Sequence, residues 1–401
     1  MRTTDIAAKH SEDLIALRRE LHRVPEIGLD LPITQRLVLD ALEGLDLEVS
    51  TGQGLSSVVA VVRGGAEGAN EGPVVLLRGD MDGLPVAEEV ELPYRSEHPG
   101  QMHACGHDLH TAALVGAARI LTEIRDELAG DVVLMFQPGE EGPGGAEPMI
   151  AEGLLDVAGR PVDAAFALHV SSSEYPLGQW FARPRELMAA VDTVSIVVRG
   201  EGGHGSEPQR ALDPVPVLCE TVLALQTMVT RSFSAFDSVV LTVGRIAAGT
   251  KDNIIPDTAE LAATLRTFSP ETRAKAAEGI ERVAAGVAAA HGMTAEVGFS
   301  ESYPATINDD AEYDLAVGVV ADLFGADRYS EMPHPEMGSE DMSFVMERVP
   351  GAYLFVSACP AEDYKAAPDN HSPRALFDDS VVPDAAAWLA EVARRRVARV
   401  S

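Results

Sequence analysis

Three short apolar runs in this chain each lead into residues of the types that commonly bind metal ions in proteins, Asp, Glu and His. Residues 74–77 lead into Asp80 and Asp82, residues 132–136 into Glu140 and Glu141, and residues 164–168 into His169. Continuous apolar runs of this length are typical of strands buried on both faces, as in a parallel sheet covered by helices. Because ligands of such sheets bind at the carboxyl ends of the strands, we expect these carboxylates and this imidazole to meet in one crevice.

A dense group of possible metal ligands, MHACGHDLH, lies between the first two runs. Cys105 and His107 are two residues apart on a glycine-containing turn, so a thiolate and an imidazole can reach the same ion or two neighbouring ions. A buried cysteine is often only a small apolar side chain. The nearby His103, Asp108 and His110 favour the metal interpretation. Asp108 and His110 are expected to support a ligand or to begin the helix predicted for residues 111–124.

The pair Glu140-Glu141 is the most informative acidic feature. Adjacent carboxylates repel one another, so the pair is costly unless a cation neutralises at least one of them. A solvated acidic turn is the competing interpretation. The pair follows a buried strand and precedes the glycine-rich residues 142–145, where the backbone can approach a ligand closely. One glutamate can then bind metal while the other acts as a base toward water.

The other histidines give weaker signals. His169 and His371 are each ambiguous when considered alone. His204 lies between glycines in GGHGS, which suits a residue that contacts substrate from a lid. The remaining histidines, His10, His98, His291 and His334, are assigned to the surface or to structure.

Charge and cysteine content restrict the partners. The formal net charge of −32 argues against nucleic acid or an anionic membrane as a partner. This acidity fits either the solubility of a cytosolic enzyme or adaptation to salt, and the sequence does not separate the two. No apolar stretch approaches the roughly 20 residues of a membrane span, and the first residues lack a secretory signal. Three widely spaced cysteines imply no disulfide framework. We therefore expect a cytoplasmic protein.

The pattern of elements changes near residue 190. Before it, strands and helices alternate as in a layered α/β domain. After it, the sequence predicts a β-α-β-β-α-β unit, with elements at residues 191–199, 215–231, 238–246, 258–268, 271–291 and 294–302. We predict a catalytic domain formed by residues 1–187 and 303–401, and an inserted domain formed by residues 188–302.

Several ordered motifs carry a resemblance to a known family. They are RGDMDGLP (78–85), MHACGHDLHT (102–111), GEEG (139–142), GGHGS (202–206), TKDNIIPD (250–257), LRTF (265–268) and GSED (338–341). In this order they resemble the aminoacylase/carboxypeptidase metallopeptidase family, in its N-acyl amino acid amidohydrolase branch. That branch includes hippurate hydrolases and plant auxin-conjugate hydrolases.

The resemblance implies a role for individual residues. The ligands of two divalent cations would be Cys105, His107, Glu141, His169 and His371. Glu140 would be the general base and later the acid, and Asp82 would orient a ligand histidine. His204 and Asn253 would stabilise the oxyanion or position the substrate, and Arg266 would pair with the substrate carboxylate.

The resemblance also implies a fold and an assembly. The catalytic domain would be zinc-peptidase-like, and the inserted domain would be a ferredoxin-like lid that also dimerises. His204 would then act either in its own subunit or across a dimer interface.

The predicted function is hydrolysis of the amide bond of an N-acyl (acetyl, benzoyl or similar) L-amino acid, with Zn²⁺ favoured and Mn²⁺, Co²⁺ or Ni²⁺ also suited to the ligands. A dipeptidase or an N-acetyl-diamino-acid deacetylase of the same fold is the nearest alternative. A non-catalytic metal-binding relative is disfavoured because Glu140 is present beside Glu141. A structural zinc site is disfavoured because such sites use Cys and His ligands that lie close together in sequence.

Overall fold

The computed structural model describes residues 2–398, which form two compact units. The first unit comprises the residues up to Leu187, then Ile307–His334, then the residues from Phe344 onward. The second unit comprises Met188–Thr306 and Pro335–Ser343. The predicted insertion covered residues 188–302, and the role given to it, a lid that dimerises, stays a prediction.

The elements are numbered along the chain. The helices are α1 (Thr3–Arg23), α2 (Pro32–Leu42), α3 (His107–Glu123), α4 (Ala146–Ala151), α5 (Pro214–Ser232), α6 (Pro270–Ala290), α7 (Asp310–Phe324), α8 (Ser343–Met346) and α9 (Val382–Val397). The strands are β1 (Glu48–Thr51), β2 (Val58–Val62), β3 (Val74–Asp80), β4 (Asp131–Gln137), β5 (Ala164–Ser171), β6 (Trp180–Ala182), β7 (Arg185–Met188), β8 (Ala190–Arg199), β9 (Gly203–His204), β10 (Val240–Ala248), β11 (Ile254–Ile255), β12 (Thr258–Thr267), β13 (Thr294–Glu301), β14 (Thr306–Asn308), β15 (Tyr329–Glu331) and β16 (Gly351–Ser357).

The first unit contains a large mixed sheet, with the order β1-β2-β4-β3-β5-β16-β6-β15 among the described residues. Its centre is parallel: β3 pairs in parallel with β4 and β5, and β5 pairs in parallel with β16. Every residue of β3 and β4 is buried, as continuous apolar runs predict. The three strands predicted from the apolar runs are therefore neighbours, and their carboxyl ends lie at one edge. The prediction of an α/β fold is confirmed.

Helices α1, α3 and α9 pack on one another, and α3 and α9 also pack on β3. Small residues permit the close approach. A Cβ added at Gly116 of α3 would lie 2.6 Å from the Cβ of Ala386 in α9 and 2.8 Å from a methyl carbon of Leu14 in α1. Helix α3 begins at His107, four residues before the predicted start, because Gly106 takes a left-handed conformation (φ +89°) that ends the preceding turn. His107 is therefore the first residue of a helix.

Apart from the two-residue strands β9 and β11, the second unit has the helix and strand order β-α-β-β-α-β from β8 to β13. The four long strands form an antiparallel sheet in the order β10-β12-β8-β13, and β9 and β11 pair separately. Burial alternates along β8, whose Val194, Ile196 and Val198 join a core with residues of α5 and α6. Asp192, also buried, accepts a 2.9 Å hydrogen bond from Nε of Arg273 on α6.

Among residues 2–398, no helix combines the length and the apolar character that crossing a lipid bilayer requires.

Candidate metal centre

The parallel pairing of β3 with β4 brings Asp82 to the two adjacent glutamates. One carboxylate oxygen of Asp82 accepts a hydrogen bond from the backbone N–H of Glu140 at 3.0 Å, and the other accepts one from the N–H of Glu141 at 3.1 Å. Asp82 is buried, with 1% of its surface exposed. It therefore holds the backbone of the acidic pair in place and leaves both glutamate side chains available for other contacts.

The orientation of the His107 ring depends on the same residue. Nδ1 of His107 lies 2.9 Å from the backbone carbonyl oxygen of Asp82 and 3.4 Å from its carboxylate Oδ1. The carbonyl is the nearer acceptor, so it fixes the ring with the proton on Nδ1. Nε2 of His107 is buried and makes no hydrogen bond within residues 2–398. An orphaned imidazole nitrogen in a buried site is suited to bind a metal ion.

The predicted ligands come together around Cys105. Its Sγ lies 3.3 Å from Nε2 of His169 and 3.2 Å from Nε2 of His371. Oε1 of Glu141 lies 2.9 Å from Nε2 of His371 and 4.0 Å from Nε2 of His107. These separations are close to those between neighbouring ligand atoms around one ion, since each such atom lies about 2.0–2.3 Å from a bound Zn²⁺.

Three overlapping groups within this cluster could each hold a cation. In each group the potential ligand atoms lie within 4.8 Å of one another; the groups are Cys105–His107–His169, Cys105–Glu141–His371 and His107–Glu140–Glu141. Because Cys105, His107 and Glu141 each belong to two of these groups, the arrangement suits two neighbouring ions better than two ions bound at separate sites. The donors are a thiol sulfur, imidazole nitrogens and carboxylate oxygens, a mixture that divalent transition metals accept. The residues present therefore fit the predicted pair of cations.

His169 lies within β5 and not at its end, because the strand continues to Ser171. Its Nδ1 donates to the carbonyl of Val170 at 2.8 Å, which leaves Nε2 directed at Cys105. Burial lowers the pKa of His169 well below its usual range. The ring is therefore neutral and offers a lone pair, the form in which an imidazole binds a metal.

The acidic surroundings perturb Cys105 and His107 in the same direction. Burial, followed by the carboxylates of Glu141 and Glu140, raises the pKa of the Cys105 thiol well above its usual range. Burial alone would lower the pKa of His107, but the carboxylates of Asp80 and Asp82 outweigh it and raise the value to about 10. A divalent cation among these donors reverses both effects, because it stabilises a thiolate and an unprotonated imidazole.

Sequence reasoning missed a buried chain of contacts behind the cluster. Asp80 pairs with Arg78 and accepts a 2.6 Å hydrogen bond from Nδ1 of His110. Nε2 of His110 in turn accepts a 2.8 Å hydrogen bond from the backbone N–H of Val170, next to His169. His110 therefore joins the end of β3 to β5. The place of Asp80 after the apolar run 74–77 predicted that it lies at this edge, but no sequence signal indicated its hydrogen bond to His110.

A second buried network fastens α1 to the start of α3. Oδ2 of Asp108 lies 2.9 Å from Nε of Arg18 and 2.8 Å from Nδ1 of His22. All three side chains are 1% exposed or less. Burial alone would raise the pKa of Asp108, but Arg18 and His22 outweigh it and hold the pKa well below its usual range. Asp108 supports the segment that carries His107, which fits the expectation of a supporting or helix-start residue.

The remaining predicted site residues lie in the second unit. β9 pairs with β11 so that His204 is opposite Ile254, and the N–H of Gly205 donates to the carbonyl of Asn253 at 3.0 Å. His204 and Asn253 are therefore neighbours, and both are exposed. The guanidinium of Arg266 donates to the backbone carbonyl of Met337. The roles predicted for these three residues stay predictions.

Thiol, imidazole and carboxylate groups gathered at the carboxyl edge of a mixed sheet form a site suited to divalent cations. Residues 76–395 match the model of peptidase family M20/M25/M40, and the chain belongs to this family. The resemblance drawn from the motifs is confirmed.

Individual relatives are similar over nearly their whole length. The chain is 36% identical to thermostable carboxypeptidase 1 of Saccharolobus solfataricus, over 92% of this chain and 91% of the relative. It is 36% identical to IAA-amino acid hydrolase ILR1-like 4 of Arabidopsis thaliana, over 95% of this chain and 85% of the relative. A crystal structure of a dinuclear metal-binding peptidase of the M20 family from Bacillus subtilis matches with a TM-score of 0.82 and 31% identity, over 98% of this chain and 100% of that chain.

Proposed function

We propose that this protein is a two-metal amidohydrolase that cleaves the amide bond of N-acyl L-amino acids, releasing a carboxylic acid and a free amino acid. The observation that supports this most is the close grouping of Cys105, His107, Glu141, His169 and His371, with Glu140 beside it. Membership of a peptidase family supports amide hydrolysis, and the similarity to an IAA-amino acid hydrolase supports an acylated amino acid as substrate.

The five clustered residues would hold two divalent cations, with Cys105 and Glu141 each near more than one histidine. When bound, such ions polarise the scissile carbonyl and lower the pKa of the attacking water toward about 7. Sulfur and nitrogen donors favour Zn²⁺, and Mn²⁺, Co²⁺ or Ni²⁺ are also accepted by this donor set.

Glu140 is the group proposed to move the proton. Its backbone is fixed by Asp82, and its side chain is in the group that includes His107 and Glu141. Glu141 approaches two of the proposed ligand histidines, so its carboxylate is committed to the cations. Glu140 takes a proton from the attacking water and later delivers it to the nitrogen of the departing amine. In this division Glu140 is the base and acid, and Glu141 is a ligand.

Substrate recognition is assigned to three residues of the second unit. Arg266 would pair with the carboxylate of the amino-acid portion through two parallel hydrogen bonds. His204 and Asn253 would donate to the oxygen that becomes negative in the transition state. Loss of Arg266 should therefore raise KM for substrates with a free carboxylate, whereas loss of His204 should lower kcat.

The test is a comparison of Glu140→Gln with a control that removes an equivalent charge, Glu147→Gln on the exposed part of α4. Both proteins are dialysed, reloaded with Zn²⁺ or Mn²⁺, and incubated with N-acetyl, N-benzoyl and indoleacetyl amino acids while free amine is measured. Glu140→Gln should keep its metal content and lose at least ~10²-fold in turnover. Glu147→Gln should behave as the parent. Near-normal turnover of Glu140→Gln would refute the assignment.

The second candidate is a peptidase that acts on dipeptides or on the C-terminal bond of short peptides, and the similarity to a thermostable carboxypeptidase favours it. An N-acetyl-diamino-acid deacetylase is the other alternative on the same site. Including dipeptides and N-acetyl-diamino acids in the same assay separates the three, because each predicts a different preferred substrate.

We also propose a cytoplasmic location and assembly into a homodimer or a higher homo-oligomer through the inserted domain. Cys105, Cys219 and Cys359 are free, which suits a reducing compartment. In the second unit, the edge strand β10 exposes the apolar residues Val240 and Ile246, and α5 exposes Leu223. Exposed edges of this kind favour pairing with another chain. Sedimentation analysis of the purified protein measures the mass of the assembly directly.

A further inference from the structure

The side-chain amide of Asn370, the residue before His371, connects the segments that carry the proposed metal ligands. Its Nδ2 donates to the backbone carbonyl of Cys105 at 3.2 Å and to that of Val170 at 3.0 Å. The same nitrogen lies 3.8 Å from Sγ of Cys105. One amide group therefore contacts both the turn that carries Cys105 and the strand residue next to His169. The residue that bears this amide is itself bonded to His371 in the sequence.

The carbonyl end of the same amide is also engaged. Oδ1 of Asn370 accepts hydrogen bonds from the backbone N–H of Ser172 at 2.9 Å and from its hydroxyl at 3.0 Å. The Ser172 hydroxyl also contacts the carbonyl of Pro368 at 2.9 Å. Asn370 thus uses both ends of its amide, and the loop before His371 is fastened to the residues that follow β5.

The backbone conformation of His371 is unusual and requires hydrogen bonds in the surrounding loop to hold it. His371 has a φ of +69°, in the left-handed region that residues other than glycine rarely adopt. Its N–H donates to the carbonyl of Ala104 at 2.8 Å. Its side chain is 54% exposed, so packing does little to fix the ring. Hydrogen bonds from neighbouring residues must therefore hold this strained conformation.

We propose that Asn370 is a positioning residue that sets the distances between Sγ of Cys105 and the imidazoles of His169 and His371, and through them the affinity of the site for a divalent cation. This inference rests on the proposed function of the same cluster. An aspartate in its place has nearly the same shape but loses both N–H donors. It also adds a negative charge near Cys105, which by itself would attract a cation, so weaker binding would report the lost hydrogen bonds and not the charge. Partners of this kind typically change metal affinity by about 10- to 100-fold.

The experiment compares Asn370→Asp with Asn308→Asp in the full-length protein. Asn308 is a matched control, because its Nδ2 also donates to two backbone carbonyls, those of Arg183 and Tyr353, and its Oδ1 accepts from the N–H of Tyr353. Each dialysed protein is titrated with Co²⁺, and the near-ultraviolet absorption that arises from charge transfer between thiolate and cobalt is recorded. This signal reports the bond to Cys105 independently of turnover.

Asn370→Asp should bind Co²⁺ about 10- to 100-fold more weakly and show a weakened or shifted charge-transfer band. Asn308→Asp should retain the affinity and the band of the parent, whatever its thermal stability. Ser172→Ala removes the hydroxyl contacts to Asn370 and Pro368 and should change the affinity in the same direction by a smaller factor. If Asn370→Asp does not fold, the cation affinity of Ser172→Ala tests the positioning role of Asn370.

Three results overturn the proposal. Parental affinity and spectrum in both Asn370→Asp and Ser172→Ala would remove the positioning role. An equal change in Asn308→Asp would attribute the effect to general destabilisation. A parent protein that shows no band between thiolate and cobalt would overturn the proposed metal cluster itself, and with it this inference.

Discussion

Gly106 offers the sharpest single test of how the Cys105–His107 segment is built. Its φ of +89° is left-handed, and an alanine Cβ there would lie 2.3 Å from Cγ2 of Val170 and 3.2 Å from Cε1 of Phe377. Gly153 has a similar φ of +96°, yet a Cβ at that position would meet no atom within 4 Å. Comparing Gly106→Ala with Gly153→Ala therefore separates the steric overlap from the cost of the backbone conformation.

The two substitutions should differ in magnitude for this reason. A residue other than glycine in the left-handed region costs about 1–2 kcal/mol, which is the whole effect expected for Gly153→Ala. An extra methyl group forced into a packed site costs about 1–3 kcal/mol more. Gly106→Ala should therefore lower the free energy of unfolding by about 2–5 kcal/mol, and it should also shift the Cys105 and His107 side chains that flank it.

Urea unfolding followed by tryptophan fluorescence suits this measurement. The two tryptophans of the chain, Trp180 and Trp388, are both fully buried in the first unit and 5.2 Å apart between ring centroids. Their emission therefore reports the unit that contains Gly106. The experiment uses metal-free protein, so that altered metal binding does not contribute to the measured stability.

A double variant checks the cause. Val170→Ala removes the atom that the new methyl group meets, so its own destabilising effect should shrink or reverse when Gly106→Ala is present. Equal costs for Gly106→Ala and Gly153→Ala would refute the steric argument. So would fully additive effects of Gly106→Ala and Val170→Ala.

Two further predictions concern buried ion pairs. Burial raises the pKa of Glu391, but Arg394 and Arg395 outweigh it and lower the pKa in the folded protein, so Glu391→Gln should cost about 1–2 kcal/mol at neutral pH. A carboxylate whose pKa is lowered by folding contributes fully to the free energy of unfolding above its unfolded-state pKa, and this contribution is lost as the pH falls through the folded-state pKa. The difference in urea midpoint between the parent and Glu391→Gln should therefore stay constant above about pH 5 and disappear in acid. In the second unit, Arg273→Met leaves Asp192 buried without its guanidinium partner and should cost about 1.5–3 kcal/mol, measured as faster amide hydrogen exchange in β8. Unchanged exchange in β8 would contradict this, and Co²⁺ binding serves as the control because it should not change.

The sequence predicted the parallel centre of the sheet because its strands carry continuous apolar runs. Such strands must be buried on both faces, and this occurs at the centre of a sheet that helices cover. It also predicted that Asp82 and the adjacent glutamates meet, since parallel neighbours end at the same edge. His371 was ambiguous as an isolated histidine, and only the resemblance to a family assigned it as a ligand. His371 lies in a loop far along the chain from the other proposed ligands, and no local sequence pattern identifies such a residue as a ligand.

Contacts between distant segments were not predictable from the residues that make them. His110 joins Asp80 to the N–H of Val170, and Asn370 joins Cys105 to Val170. Each depends on the register of strands and on the path of a loop, which the order of residue types does not specify. The start of α3 was placed too late because its first turn contains the polar residues His107, Asp108 and His110, which interrupt the Ala- and Leu-rich pattern typical of a helix.

The distance along the chain between Cys105 and His371, 266 residues, has a consequence for biosynthesis. At roughly 5–20 residues per second, a ribosome needs on the order of ten to fifty seconds to add the last histidine after the cysteine has been made. During that interval the nascent polypeptide carries a thiol and several imidazoles with an incomplete set of neighbours. In the proposed metal cluster, the full set of ligands would therefore be present only after this last histidine has been made.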